Sequence, residues 1–227
     1  MKKIAALVAL AGLAAAATAG PGKIDILVKN LTAGGGAANS VNASVGDVVE
    51  VQVWYNWGNP TSGTAVGLST VVHNITSADF DASNTTFDTG DNRQGQFTFG
   101  AQTQKAFRGA SSLRIADVGN VGDDNIGGIS VKQASPKSSG SSFDASNPAM
   151  GYAFTFTVGA GQSTNIHFDA PLVKINSYRV YTSTTTTTGT PKDIAFDETD
   201  GATVVIPAPA SLALLGLGGL VAGRRRR

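Results

Sequence analysis

Along residues 48–56 the chain reads VVEVQVWYN, and apolar and polar positions take turns. Val49, Val51, Val53 and Tyr55 share one parity, while Glu50, Gln52 and Trp54 share the other. Side chains on an extended backbone point alternately to opposite faces, so this spacing predicts a half-buried strand. Gly46 and Asp47 open it as a turn, and Gly58-Asn59-Pro60 closes it. The same alternation returns late in the chain, where Tyr152, Phe154, Phe156 and Val158 interleave with Ala153, Thr155 and Thr157. Further strands are predicted over 23–31, 64–75, 95–100, 111–118, 128–134, 165–175, 176–188 and 201–207. Glycine, asparagine, aspartate and serine divide them, and 135–148 reads as a long exposed loop. No window carries the 3.6-residue period of an amphipathic helix, and TQKAFRGASS is too short to make one. Thr, Val, Tyr and Phe recur where strands are expected, because branched and aromatic side chains pack well on a pleated surface. The pattern predicts an all-β body, an antiparallel β-sandwich.

The two ends break the pattern. MKKIAALVALAGLAAAATAG has a basic start in Lys2 and Lys3, an apolar run, and a small-x-small site at Ala17 and Ala19 before Gly20. That is the layout of a secretory signal peptide, with cleavage expected between Ala19 and Gly20. At the other end, residues 204–223 contain no charge and Arg224, Arg225, Arg226 and Arg227 follow at once. The expected organisation is a signal helix at 1–19, a sandwich body at 20–203, and a sorting and anchor segment at 204–227 with a short hydrophobic helix. Pro207 and Pro209 place the start of that helix near Ala210, which leaves it short for a bilayer core of about 30 Å. Four like charges suit an anionic surface and not a core.

Charge changes meaning once the ends are set aside. The chain holds 17 Lys and Arg against 16 Asp and Glu. Lys2, Lys3 and the four terminal arginines supply six of the basic residues, so the body has 11 basic against 16 acidic groups, a net of about −5. A nucleic-acid-binding face needs excess cations, so nucleic acid is not an expected partner. There is no cysteine, which excludes thiol chemistry and disulfide staples; packing alone must hold the body.

Candidate chemistry in the body is sparse. His73 and His167 are the two histidines, and both fall in predicted strands. A general base or a metal pair is one reading; a structural or surface histidine is the commoner one. Asp169 lies two positions after His167 and shares its strand face, but a triad also needs a positioned nucleophile. Asp117, Asn120, Asp123, Asp124 and Asn125 sit in or beside a Gly-rich loop with oxygen ligands suited to calcium, although the spacing is not that of a helix-loop-helix site. Asp79, Asp81, Asp88 and Asp91 are candidate carboxylates for glycoside hydrolysis. Trp54, Tyr55 and Trp57 form WYNW, and an outward Trp54 offers a face for a sugar ring. Asn30, Asn42, Asn74 and Asn84 stand in Asn-x-Ser/Thr triplets, and residues 182–190 are a threonine-rich tract. No cofactor or metal site is expected from this inventory.

The tail IPAPASLALLGLGGLVAGRRRR resembles the PEP-CTERM sorting signal of Gram-negative bacteria. Pro207 and Pro209 match its two prolines, Ser211 and the Leu/Gly run match its hydrophobic segment, and Arg224 to Arg227 match its basic stop. Ala208 stands where that family has glutamate. The resemblance implies recognition by an exosortase-type processing enzyme, passage through the export machinery, membrane attachment through the C-terminal segment, and delivery to the cell surface among exopolysaccharide or biofilm matrix. It covers the tail and leaves the body uncovered. Separately, VGDVVEVQVWYN is similar to the opening strands of cohesin-like or Ig-like surface sandwiches. The expected role is that of an exported structural or adhesive surface protein and not an enzyme; a carbohydrate-binding module and a secreted hydrolase are the alternatives.

Overall fold

A computed structural model describes residues 20–77, 79–80, 86–87, 97–99, 105–106, 116–117, 129–136, 143–172, 177–184 and 190–207. Every extended element among them is a strand. One sheet consists of β1 (Gly22–Asn30), β3 (Val48–Asn56), β5 (Thr86–Phe87), β10 (Ala149–Thr157) and β14 (Phe196–Asp200), in the order β14-β1-β3-β10-β5. A second consists of β4 (Gly67–His73), β6 (Thr98–Phe99), β9 (Ile129–Lys132), β12 (Tyr178–Tyr181) and β13 (Lys192–Asp193), in the order β13-β12-β4-β9-β6. A three-stranded sheet sets β15 (Ala202–Val205) between β11 (Asn165–Phe168) and β2 (Ser40–Asn42). A separate short pair joins β7 (Lys105–Ala106) to β8 (Ala116–Asp117).

The second and third sheets form one layer. Past the end of β4 the chain stays extended, and His73 pairs with Leu172 and Thr76 with Asp169, both antiparallel. Asp169, Leu172 and β12 therefore lie alongside β4 and its continuation, and β11 carries β15 and β2 at the far edge. The other layer is built on β3, whose predicted alternation is present: Val49, Val51, Val53 and Tyr55 are wholly buried, while Glu50, Gln52 and Trp54 face outward. β1 and β10 flank it antiparallel, with Val28 opposite Val51 and Phe154 also opposite Val51. The apolar faces meet in one core. At one end of it the Tyr178 hydroxyl crosses between the layers and donates to the carbonyls of Asn56 (2.8 Å) and Lys23 (3.2 Å).

The sandwich is not wholly antiparallel. β1 pairs with β14, and β2 with β15, in parallel. A hairpin forces neighbouring strands to oppose, but strands from opposite ends of the chain carry no such restraint. β15 runs to Val205, Val204 is buried, and Ile206 belongs to the core. The terminal segments 1–19 and 208–227, where the two helices are expected, lie outside the described residues. No helix among the described residues is long and apolar enough to cross a membrane.

Gly151 marks a specific packing constraint. The β3–β10 register shifts between Met150 and Tyr152, and Gly151 sits at that irregularity directly against the Tyr55 ring. A Cβ there lands inside the ring's van der Waals envelope. Gly151→Ala is expected to destabilise the body by about 3 kcal/mol, the upper range for overpacking a core. Urea unfolding measures this, and an unchanged midpoint would show that the ring moves aside freely.

Candidate functional site

The residues with candidate chemistry disperse. His73 shares parity with Val71 and Ile75, so the strand turns it inward, where it is fully buried. Its Nδ1 lies 3.0 Å from the Asn74 carbonyl, which can only accept, so Nδ1 carries the proton. Nε2 is then the acceptor for the Tyr55 hydroxyl at 2.8 Å, with the Tyr152 hydroxyl at 3.5 Å. Burial pulls the imidazole from 6.5 down to about 4, although the bond to Asn74 works in the opposite direction. Burial likewise pushes the Tyr55 and Tyr152 hydroxyls well above their ordinary 10. All three groups are therefore neutral near pH 7. His73 bridges the two layers as a structural histidine, held away from solvent.

His167 is exposed on β11, with Nδ1 3.1 Å from the Thr203 hydroxyl on β15. Asp169 turns to other partners, accepting from the Ala170 amide at 2.7 Å and from the Thr199 hydroxyl. The two strand-face neighbours thus serve separate contacts, and no serine is placed against His167 by a hydrogen bond among the described residues. No group of three or more His, Asp or Glu that could hold a metal occurs among the described residues. Asp79 is described and exposed. Asp81, Asp88, Asp91, Asn84, Asn120, Asp123, Asp124 and Asn125 lie outside the described residues, as do Ala17, Ala19, Pro209, Ser211 and Arg224 to Arg227. Asp117 falls in β8.

The aromatic WYNW stretch divides by parity. Trp57 is buried in the core, and Asn147 clamps its backbone, donating to the Trp57 carbonyl at 2.6 Å and accepting from its amide at 3.1 Å. Trp57 is thereby unavailable to a ligand. Trp54 is half-buried on the outer face and donates its indole N–H to Gln52 (3.1 Å), which donates in turn to Glu50 (2.6 Å). Of the asparagine triplets, Asn30 is buried and its amide nitrogen donates to Asp47 Oδ2 (2.8 Å) and the Asn42 carbonyl (3.0 Å), so the folded body offers no glycan acceptor there. Asn42 is exposed and Asn74 half-buried.

The Asn30 bonds belong to one end of the sandwich that the sequence did not single out. Asn30 Oδ1 accepts from the Thr32 and Ala33 amides and turns the chain at the end of β1. Asp47 Oδ2 accepts from the Ser44 amide as well as from Asn30, and these bonds lower its carboxyl below the usual value. The turn so formed lies beside the end of β10, through Gly46 N to Val158 O and Val158 N to Asp47 O, both 2.9 Å. The end of β15 joins the same group, through Ala43 N to Val205 O (2.9 Å) and Ile206 N to Thr164 O (2.7 Å). A shallow cavity of about 360 Å³ opens between these segments, bordered by Val45, Ala160, Gln162, Thr164, Ile206 and Pro207.

No protein-family model and no curated protein matches the chain. Solved structures similar to it include the sixth cohesin of scaffoldin B from Acetivibrio cellulolyticus, crystallised with a dockerin, at 11% identity and a TM-score of 0.45 over 83% of this chain and 100% of that one. A type II cohesin domain from the cellulosome of the same organism is similar at 10% identity and a TM-score of 0.39, over 82% and 95% of the two chains.

Proposed function

We propose that this chain is an exported surface protein whose sandwich body plays a structural or adhesive role, without enzymatic activity, and whose C-terminal segment sorts it and holds it at the membrane. The observation that carries the reading is the junction between body and tail. β15 is built into a sheet through Val205, Ile206 remains in the core, and Pro207 is exposed. The apolar run and the arginine stop then follow after only Ala208 and Pro209. A folded module leads directly into an address. The buried, fully hydrogen-bonded His73 and the separation of His167 from Asp169 support a binding or scaffolding role over hydrolysis. An exosortase-type enzyme is the proposed processor, and exopolysaccharide or matrix the proposed surroundings.

Replacing Arg224, Arg225, Arg226 and Arg227 together by serine is expected to abolish membrane retention or processing and leave body stability unchanged. Intact mass of the protein from each fraction of its own host reads this. The unsubstituted chain is expected to begin at Gly20. The same cleavage state in both forms, read from intact mass after allowing for the four substitutions, together with the same localisation, would sink the sorting hypothesis.

A further inference from the structure

Among the described residues, the exposed large apolar side chains are Leu31 (41% exposed) and Val45 (57% exposed). A single exposed apolar residue is ordinary on a protein surface. These two are set apart by where they sit. The Leu31 amide donates to the Val48 carbonyl (2.8 Å), so Leu31 lies beside the turn that carries Val45. Val45 borders the cavity whose other wall is Ile206 and Pro207. Both therefore stand at the end of the sandwich from which the tail departs. Ser44, Val45, Gly159, Ala160, Gln162, Thr164, Ile206 and Pro207 line the cavity, and none is ionisable. The nearby Asp47 carboxylate is engaged by the Asn30 side chain and the Ser44 amide.

The length of the connection sets the geometry. Only Ala208 and Pro209 separate Pro207 from Ala210, where the apolar run begins. Fully extended, that link spans at most about 11 Å. Whatever layer receives residues 210–223 must come within that distance of Pro207, and so close to Leu31 and Val45. We infer that this end of the sandwich is a lipid-docking surface, with Val45 and Leu31 entering the headgroup–acyl boundary of the bilayer that holds the tail. The inference rests on the proposed reading of the tail as a membrane anchor. Apolar side chains at that depth are stabilised by leaving water, and Ser44 and Thr164 supply neutral hydroxyl groups at headgroup level. The lack of ionisable side chains in the cavity lining suits zwitterionic headgroups. The body would then stand upright, β3 rising from the membrane by roughly 30 Å to the opposite end.

The chain has no cysteine, so one introduced thiol can be labelled uniquely. The test uses three single variants of the chain from Gly20 to Arg227, Val45→Cys, Leu31→Cys and Ser62→Cys, each carrying an environment-sensitive fluorophore. Ser62 is exposed and follows β3 at the far end. Each variant is reconstituted into phosphatidylcholine–phosphatidylglycerol vesicles and examined by flotation and by quenching with doxyl-labelled lipid. The expected result is that all three float, that the probes at 45 and 31 shift to the blue and are quenched, and that the probe at 62 does neither. Flotation with all three probes still in water overturns the docking surface and leaves the anchor standing. Failure to float overturns the anchor, and the docking surface with it.

Discussion

Phe168→Ala is expected to lower the stability of the body by about 4 kcal/mol, within the range for removing a buried phenylalanine. Phe168 is fully buried on β11, and its ring stands 5.8 Å from Phe156, 6.0 Å from Phe80 and 6.1 Å from Phe154. Phe80 and Phe156 meet edge to face at 5.1 Å. The three neighbours come from β10 and from the chain beyond β4, so one ring ties together segments that share no hairpin. Truncation leaves a cavity whose walls are held by their own sheets and cannot close over it. Domains of this size are stable by about 5–15 kcal/mol, so the variant should unfold in much milder urea. Phe196→Ala is the control. That ring is half-buried on the edge strand β14, stacked on Tyr178 at 6.1 Å, and its loss should cost about 1 kcal/mol. Equal effects of the two substitutions would remove the claim that Phe168 is the central contact.

The second large effect is on acid stability. His73 has a folded pKa of about 4 against 6.5 for a free imidazole, so between those values the unfolded chain binds a proton that the folded chain does not. Stability then rises with pH. The contribution is fully present above pH 6.5 and is lost as pH falls toward 4. Over that window the loss amounts to about 3 kcal/mol. Asp47, whose folded carboxyl is lowered by the Ser44 amide and the Asn30 side chain, contributes in the same sense below 3.8, outside this window. Urea midpoints between pH 7 and 4.5 measure the slope. In His73→Gln, which keeps hydrogen-bonding capacity without a titrating ring, the His73 share of the slope should vanish. A variant as acid-sensitive as the original would assign the effect elsewhere.

The sequence shows β1 and β3 clearly because each has one buried and one solvent face, and parity records that difference. In β10 the second face is itself buried at Gly151 and Ala153 and opens only at Thr155 and Thr157. Parity also held the signal for His73, which falls in step with Val71 and Ile75. It held the signal for the split between outward Trp54 and inward Tyr55. Parity fails for strands at the margins. β14 reads FDETD and has no apolar alternation, since it pairs on one side only and most of its side chains meet water. β2 is three residues long, too short for any period. The tail-side end of the sandwich was invisible for a different reason. Asn30, Val45, Thr164 and Pro207 converge from four distant parts of the chain, and only the pairing of the strands brings them together. The two parallel pairings were likewise unreadable, because strand direction is fixed by connections between layers.

β15 is the middle strand of its sheet, bonded to β11 on one side and β2 on the other, and it is also the strand that meets the tail. A pull transmitted through Pro207 along the strand axis would load both ladders lengthwise at once. An edge strand drawn sideways unzips one bond after another; a central strand drawn along its axis must shear both rows together. The junction is thus arranged to resist tension along the strand axis.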